Sequence, residues 1–171
     1  VTKPEDMKGL NFRMPNTPTY LFLGKALGAN PTPMALGEVY LSLSTGAIDG
    51  QDNPLGTLKS NKFYEVTKYI TLTNHVVASI WPTISEKVWK ELGPDLQGKV
   101  LTALETARDY CDNIVLNDEK TLVSEFEKLG VIISQPDLDA FISHVQKQYL
   151  DNKEMSASWD MELYEKVNAL K

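Results

Sequence analysis

Leu10, Phe12 and Met14 alternate with Asn11 and Arg13, the two-residue period of a short strand with one apolar face. A single helical turn over Pro4–Lys8 precedes it, and Pro15 stops it. Asn16 or Thr17 then caps a helix with Pro18 near its first position, running to about Gly28. Asn30 to Ala35 is extended. Gly37 to Thr45 predicts a helix with Val39 and Leu43 inward and Gly46 as its C-cap. A short strand over Ala47–Gly50 leads through Asn53-Pro54 into another helix ending near Asn61. Tyr69–Leu72 and Val76–Ile84 are rich in β-branched and aromatic residues and predict strands.

Ser85 caps a short helix through Leu92, which Gly93-Pro94 breaks. From Lys99 to Leu129 there is neither Gly nor Pro, and Val100, Leu104, Ala107, Cys111, Ile114, Leu122, Phe126 and Leu129 recur near the helical period. One helix of that length measures on the order of 45 Å, against the ~30 Å expected across a compact domain of this size. It therefore spans two bodies or runs along an edge. Gly130 caps it, Val131–Ser134 predicts a strand, and helices follow over Pro136 to about Asn152 and Ser158 to Leu170. Alternating short strands and helices make this an α/β chain. A strand, a Pro/Asn turn and a helix follow one another twice, at residues 10–27 and 47–61. Ligands in open α/β sheets bind just beyond the carboxyl ends of strands, so both turns lie where a site would be.

Charge narrows the function. The net charge of −6 lacks the basic field of a nucleic-acid binder, and no apolar run approaches the roughly 20 residues that span a bilayer. A lone cysteine, Cys111, makes no internal disulfide and excludes a Cys-rich zinc site. His75 and His144 have no Cys or His at ligand spacing, so no metal is expected. Neither a phosphate loop nor a dinucleotide fingerprint occurs, and no cofactor is expected. The chain opens Val1-Thr2-Lys3-Pro4, without Met, which reads as processed or cut from something longer.

Arg13 is the sharpest single residue. Only Arg13 and Arg108 are arginines among 17 basic side chains. Arg13 ends its strand and points away from the apolar face, where a guanidinium grips a carboxylate through two parallel hydrogen bonds, which lysine cannot do. The plainer alternative is a surface arginine or a structural ion pair. Asn53 before Pro54 reads as a helix N-cap, a role compatible with anion binding at a helix start. His75 with Asp49 or Asp52 could be drawn as the core of a small α/β hydrolase or isomerase, but no G-x-S-x-G pattern supports it. A third alternative is a module that recognises protein and binds no small molecule.

The stretch Gly28-Ala29-Asn30-Pro31-Thr32-Pro33-Met34, followed by Glu38-Val39-Tyr40, resembles a "GA-x-PTPM-x-x-x-EVY" segment. Leu43-Ser44-Thr45-Gly46 and Asp49-Gly50-Gln51-Asp52-Asn53-Pro54 are similar to "LQTG-x-x-DGQENP", and Asp6-Met7-Lys8-Gly9 with Arg13-Met14-Pro15-Asn16 to "DMKG…R-x-PN". In order and spacing the chain resembles the C-terminal portion of the periplasmic solute-binding proteins of TRAP-type (tripartite ATP-independent periplasmic) transporters, the DctP-like family.

The resemblance implies a two-lobed, periplasmic-binding-protein-like α/β fold. Residues 1–79 would be a first segment of the C-terminal lobe, 80–118 a segment belonging to or crossing into the N-terminal lobe, and 119–171 the return. It implies a periplasmic receptor, not an enzyme. The receptor would capture a small organic-acid anion (C4-dicarboxylate, keto or hydroxy acid, uronate or sialic acid) and hand it to TRAP membrane permease subunits. Arg13 would clamp the carboxylate, with Asn53, Asn16 and Leu36 as further ligand-binding residues and Asp52 and His75 behind them. Leu36 stands where sialic-acid binders often carry Phe, and Asp52 where the family has Glu. If 80–118 packs on a part of the protein outside this chain, its apolar side chains would otherwise face water, and the isolated chain would either self-associate through this region or occur together with its missing half.

Overall fold

Three short parallel strands carry the first set of elements in the computed structural model, which describes residues 1–76, 79–157 and 159–170. β1 (Asn11–Met14) lies between β2 (Asn30–Pro33) and β3 (Gly50–Gln51). Arg13 is in register with Thr32 on one side and Gln51 on the other. The expected helical turn is a 3-10 turn at Pro4–Met7. Helix α1 (Pro18–Ala26) joins β1 to β2, with Thr17 capping it through a hydrogen bond from Tyr20 N. Gly24 is where α1 approaches the sheet: a Cβ there would lie 2.9 Å from Pro31 Cβ, so only glycine fits without displacement.

A 3-10 turn at Leu36–Glu38 leads into α2 (Val39–Thr45), which Gly46 ends in the left-handed conformation at φ 72°. The strand expected over Ala47–Gly50 starts later than the sequence suggests. The amides of Ala47 and Ile48 close the helix end by bonding Ser42 O at 2.9 and 3.3 Å. Pairing begins with Asp49, whose amide donates to Asn11 O while its Oδ2 accepts from Asn11 N. Helices α5 (Leu138–Asp151), α6 (Lys153–Ser156) and α7 (Met161–Asn168) complete this unit, Val1–Asp52 with Ser134–Lys171. Met7, Ala29 and Phe141 form its buried centre. A run of aromatic contacts, Phe22–Tyr149, Tyr149–Trp159 and Trp159–Tyr164, ties α1 to the terminal helices. Burial within this run raises the Tyr149 phenol above its ordinary value. The final helix is capped by Asp160; Ser158, where the helix was expected to begin, lies outside the described residues.

The second unit, Asn53–Ile133, contains α3 (Leu55–Ser60), β4 (Tyr69–Thr71) and α4 (Glu86–Lys128); β4 pairs with β5 (Ile132–Ser134). Pro54 occupies the cap position of α3, so Asn53 lies one residue ahead of the role expected for it. The helix α4 is two helices meeting at Gly93, which sits at φ 67°, ψ 167°. Gln97 Nε2 bridges this break by donating to Trp89 O at 2.7 Å. Only near its far end does α4 bury residues: Leu122 and Phe126 are enclosed, the Phe126 ring lies 5.6 Å from that of Tyr64, and Lys59 pairs with Glu125 at 2.9 Å. No strand forms at Val76 or residues 79–84, and positions 77 and 78 lie outside the described residues. Their β-branched composition has no ladder to join, and Ile80 and Trp81 are 94% and 79% exposed.

Candidate functional site

Because β1, β2 and β3 run parallel, their carboxyl ends lie along one edge of the sheet. Pro15-Asn16 follows β1, Met34 to Glu38 follows β2, and Asp52 follows β3. In open α/β sheets, ligands bind just beyond the carboxyl ends of the strands, which makes this edge the place to look for a site.

Arg13 holds the centre of that edge. It is 5% exposed and is the buried charged side chain of the described residues. Taking a guanidinium out of water is costly unless it is hydrogen-bonded. Here Nε and Nη2 both donate to Met34 O, at 3.0 and 2.8 Å. Burial pushes Arg13 below its ordinary value, and the negative charge of Asp52 acts against that shift. The cation nevertheless persists, since arginine is not deprotonated under physiological conditions. Among the described residues both hydrogen bonds of Arg13 go to this one carbonyl and none to a carboxylate. Two of the fork's five N–H donors are used. The end-on edge, Nη1 with the second Nη2 proton, takes no part in these two bonds.

A cleft of about 430 Å³ opens over this group, lined by Arg13, Asn16, Pro33, Met34, Ala35 and Glu38 along with Pro15. A larger cavity, about 640 Å³, runs along a single helix between Pro94 and Ala103. Its charges are already engaged, with Lys99 bonded to Asp95 at 2.9 Å, and no buried cation serves it. The Arg13 cleft is therefore the candidate site.

The other sequence-predicted residues divide between the two units. Asn16 lines the cleft, and Asp52 sits half-buried after β3. Leu36 is 38% exposed at the head of the turn after β2, while Met34 and Ala35 face the cleft itself. Asn53 and His75 belong to the second unit. His75 is exposed, with Nδ1 at 2.6 Å from Thr73 Oγ1. Asp49, considered as an acid partner for His75, has its Oδ2 bonded to the backbone amide of Asn11. Among the described residues no three His, Cys, Asp or Glu side chains come together as a metal site. No helix among them is long and apolar enough to cross a membrane. Sequence reasoning passed over Glu38, because a Glu at the start of a helix reads as ordinary capping.

Residues 1–155 match the family described as bacterial extracellular solute-binding protein, family 7. The chain is 39% identical over 166 residues to the sialic acid-binding periplasmic protein SiaP of Vibrio cholerae, covering 97% of this chain and 51% of that protein. It is 33% identical over 152 residues to the 2,3-diketo-L-gulonate-binding periplasmic protein YiaO of Escherichia coli, covering 88% of this chain and 46% of that protein. A TRAP periplasmic solute-binding protein of Roseobacter denitrificans, solved with bound 3-deoxy-D-manno-oct-2-ulosonic acid, matches with a TM-score of 0.89 and 47% identity. That match covers 100% of this chain and 56% of the other. The chain thus spans about half the length of the relatives it matches. These relatives are solute-binding proteins, which removes the hydrolase or isomerase alternative, and the family's extracellular character agrees with the periplasmic location the motifs implied. From Val1 into α6, the chain belongs to the bacterial extracellular solute-binding protein family 7.

Proposed function

We propose that this chain is part of a receptor for a TRAP-type transporter, and that it captures a small organic-acid anion, an acid sugar above all, for delivery to membrane permease subunits. The observation that carries this reading is Arg13: buried at the strand ends, fixed through one edge of its guanidinium, and with its end-on edge unspent. A fork held this way is preorganised, so a carboxylate gains two charge-assisted hydrogen bonds without first ordering the side chain. The relatives support the acid-sugar class: their names and bound molecules include sialic acid, 2,3-diketo-L-gulonate and 3-deoxy-D-manno-oct-2-ulosonic acid. Each carries a carboxylate on a polyhydroxylated chain or ring.

Asn16 beside the clamp is suited to a hydroxyl next to the acid group. Asn53 serves as a second carboxylate contact by the motif resemblance alone, with Asp52 steadying the charge balance around Arg13. The test is calorimetric titration of the full-length protein with 3-deoxy-D-manno-oct-2-ulosonate, L-galactonate, N-acetylneuraminate, galacturonate and succinate. Arg13→Ala should weaken binding of the preferred acid by about 3 kcal/mol or more, as for loss of a desolvated charged partner. Arg13→Lys should also bind poorly, since an ammonium has no fork. Wild-type affinity in either variant would remove Arg13 from the clamp.

A further inference from the structure

Met34 O and Ala35 N belong to one peptide group, and both ends of that group are held by opposite charges. The oxygen accepts from Arg13 Nε and Nη2 at 3.0 and 2.8 Å, and the N–H donates to Glu38 Oε2 at 3.1 Å. The flanking backbone is fixed as well: Met34 N donates to Met14 O at 3.2 Å, and Glu38 N to Ala35 O at 3.1 Å. A carboxylate on the N–H side draws the amide proton and increases the negative character of the carbonyl oxygen, so bonds along such a chain strengthen one another. We infer that Glu38 is a positioning residue for Arg13, acting through the Met34–Ala35 peptide to hold the guanidinium edge-on to the cleft.

The inference rests on Arg13 being the carboxylate clamp proposed above. The same bond from Ala35 N closes the Leu36–Glu38 turn that runs on into α2, so capping and positioning share one contact, and one neighbouring observation points to the second role. Glu38 also lines the cleft, where its charge alone would repel an incoming carboxylate. A bare carboxylate beside an anion site weakens binding unless it strengthens the cation that does the binding. The route through the peptide supplies that strengthening, because a guanidinium tied to a fixed carbonyl stays aligned before the acid arrives.

The test uses the full-length protein and whichever acid sugar of the panel above the wild type binds. Calorimetry is paired with proton–nitrogen NMR of the Arg13 Nε–H, assigned by its disappearance in Arg13→Lys. Glu38→Ala should weaken binding about tenfold, the scale expected when a partner in a charged hydrogen-bond chain is removed. It should also abolish the exchange protection of the Arg13 Nε–H while leaving the remaining amide spectrum in place. Glu38→Gln, whose amide oxygen accepts the same bond from Ala35 N, should stay within about threefold of wild type and keep the signal protected. Unchanged or tighter binding in Glu38→Ala would overturn the inference. So would weaker binding with the Arg13 signal intact, because Glu38 would then act elsewhere. An ineffective Arg13→Ala would instead remove the clamp, and that failure is read from the Arg13 variants alone.

Discussion

A buried arginine costs a protein stability unless something compensates it, and Arg13 is compensated by one carbonyl and one neighbouring negative charge. This arrangement keeps the guanidinium where a hydrophobic residue would pack more cheaply. Asn53 allows a complementary test. With Pro54 at the cap of α3, a substitution at Asn53 need not uncap the helix, so an effect on binding is read more cleanly. Asn53→Asp would place a negative charge toward the bound carboxylate and should bind the acid more weakly than Asn53→Ala, by about tenfold for one like charge in a shielded cleft. Calorimetry on the two full-length variants decides it, and equal affinities would leave Asn53 without a carboxylate contact. Arg13 was legible in the sequence because it is a rare arginine in a short strand between Asn11 and Pro15. Its burial was not legible: alternation places Arg13 opposite Phe12, and nothing local tells that the guanidinium meets Met34 O or that the side chain is enclosed.

Among the elements, α4 carries the clearest sequence signal and the clearest strain. Gly93-Pro94 predicted a break, and the break is a glycine at φ 67°, ψ 167°, a region essentially closed to side-chain-bearing residues. A Cβ there would meet nothing within 4 Å, so the penalty for Gly93→Ala is conformational alone. It should destabilise the full-length protein by about 1–3 kcal/mol. Gly98→Ala, five residues on in regular helix with equally open space, should be neutral or stabilising by up to about 1 kcal/mol. Urea titration of both variants checks the pair; an equal effect would mean that Gly93 is not held in its strained conformation. The Val76–Ile84 strand failed for the opposite reason. Composition favours a strand there, but a strand exists only with a partner, and none pairs with the described part of that segment.

At the scale of the molecule, large apolar side chains stand in water on the second unit. Ile80 and Trp81 lead, followed by Val88, Leu101, Leu104, Val115 and Leu116, each at least 39% exposed. Exposed apolar surface of this extent marks an interaction face or an aggregation hazard. The division of the chain at 80–118 into a segment for another lobe remains our proposal for this face. On that reading the 171-residue chain alone should associate with rising concentration in light scattering, and Trp81→Ser with Leu101→Ser should reduce the association. The same chain should bind its acid at least about a hundredfold more weakly than the full-length protein, a loss near 2.7 kcal/mol, because an open cleft leaves the clamp in high dielectric. A monomeric chain with full affinity would show that the lobes divide elsewhere.

Local features were readable from the order of residues alone. Proline and glycine placed the element ends at Pro15, Gly46, Gly93 and Gly130. Two- and near-fourfold apolar periods separated strands from helices, and ordered motifs identified the family. Those signals are legible because dihedral preference and side-chain period are properties of neighbouring residues. Whatever depends on distant residues meeting came from the folded arrangement. It brought the ends of β1, β2 and β3 to one edge, delayed β3 because the end of α2 took the amides of Ala47 and Ile48, and buried Arg13. It also joined Arg13 and Glu38, 25 positions apart, through a single peptide group. No period or propensity encodes that link, since it exists only when the β1–α1–β2 crossover folds Met34 back against the strand that carries Arg13.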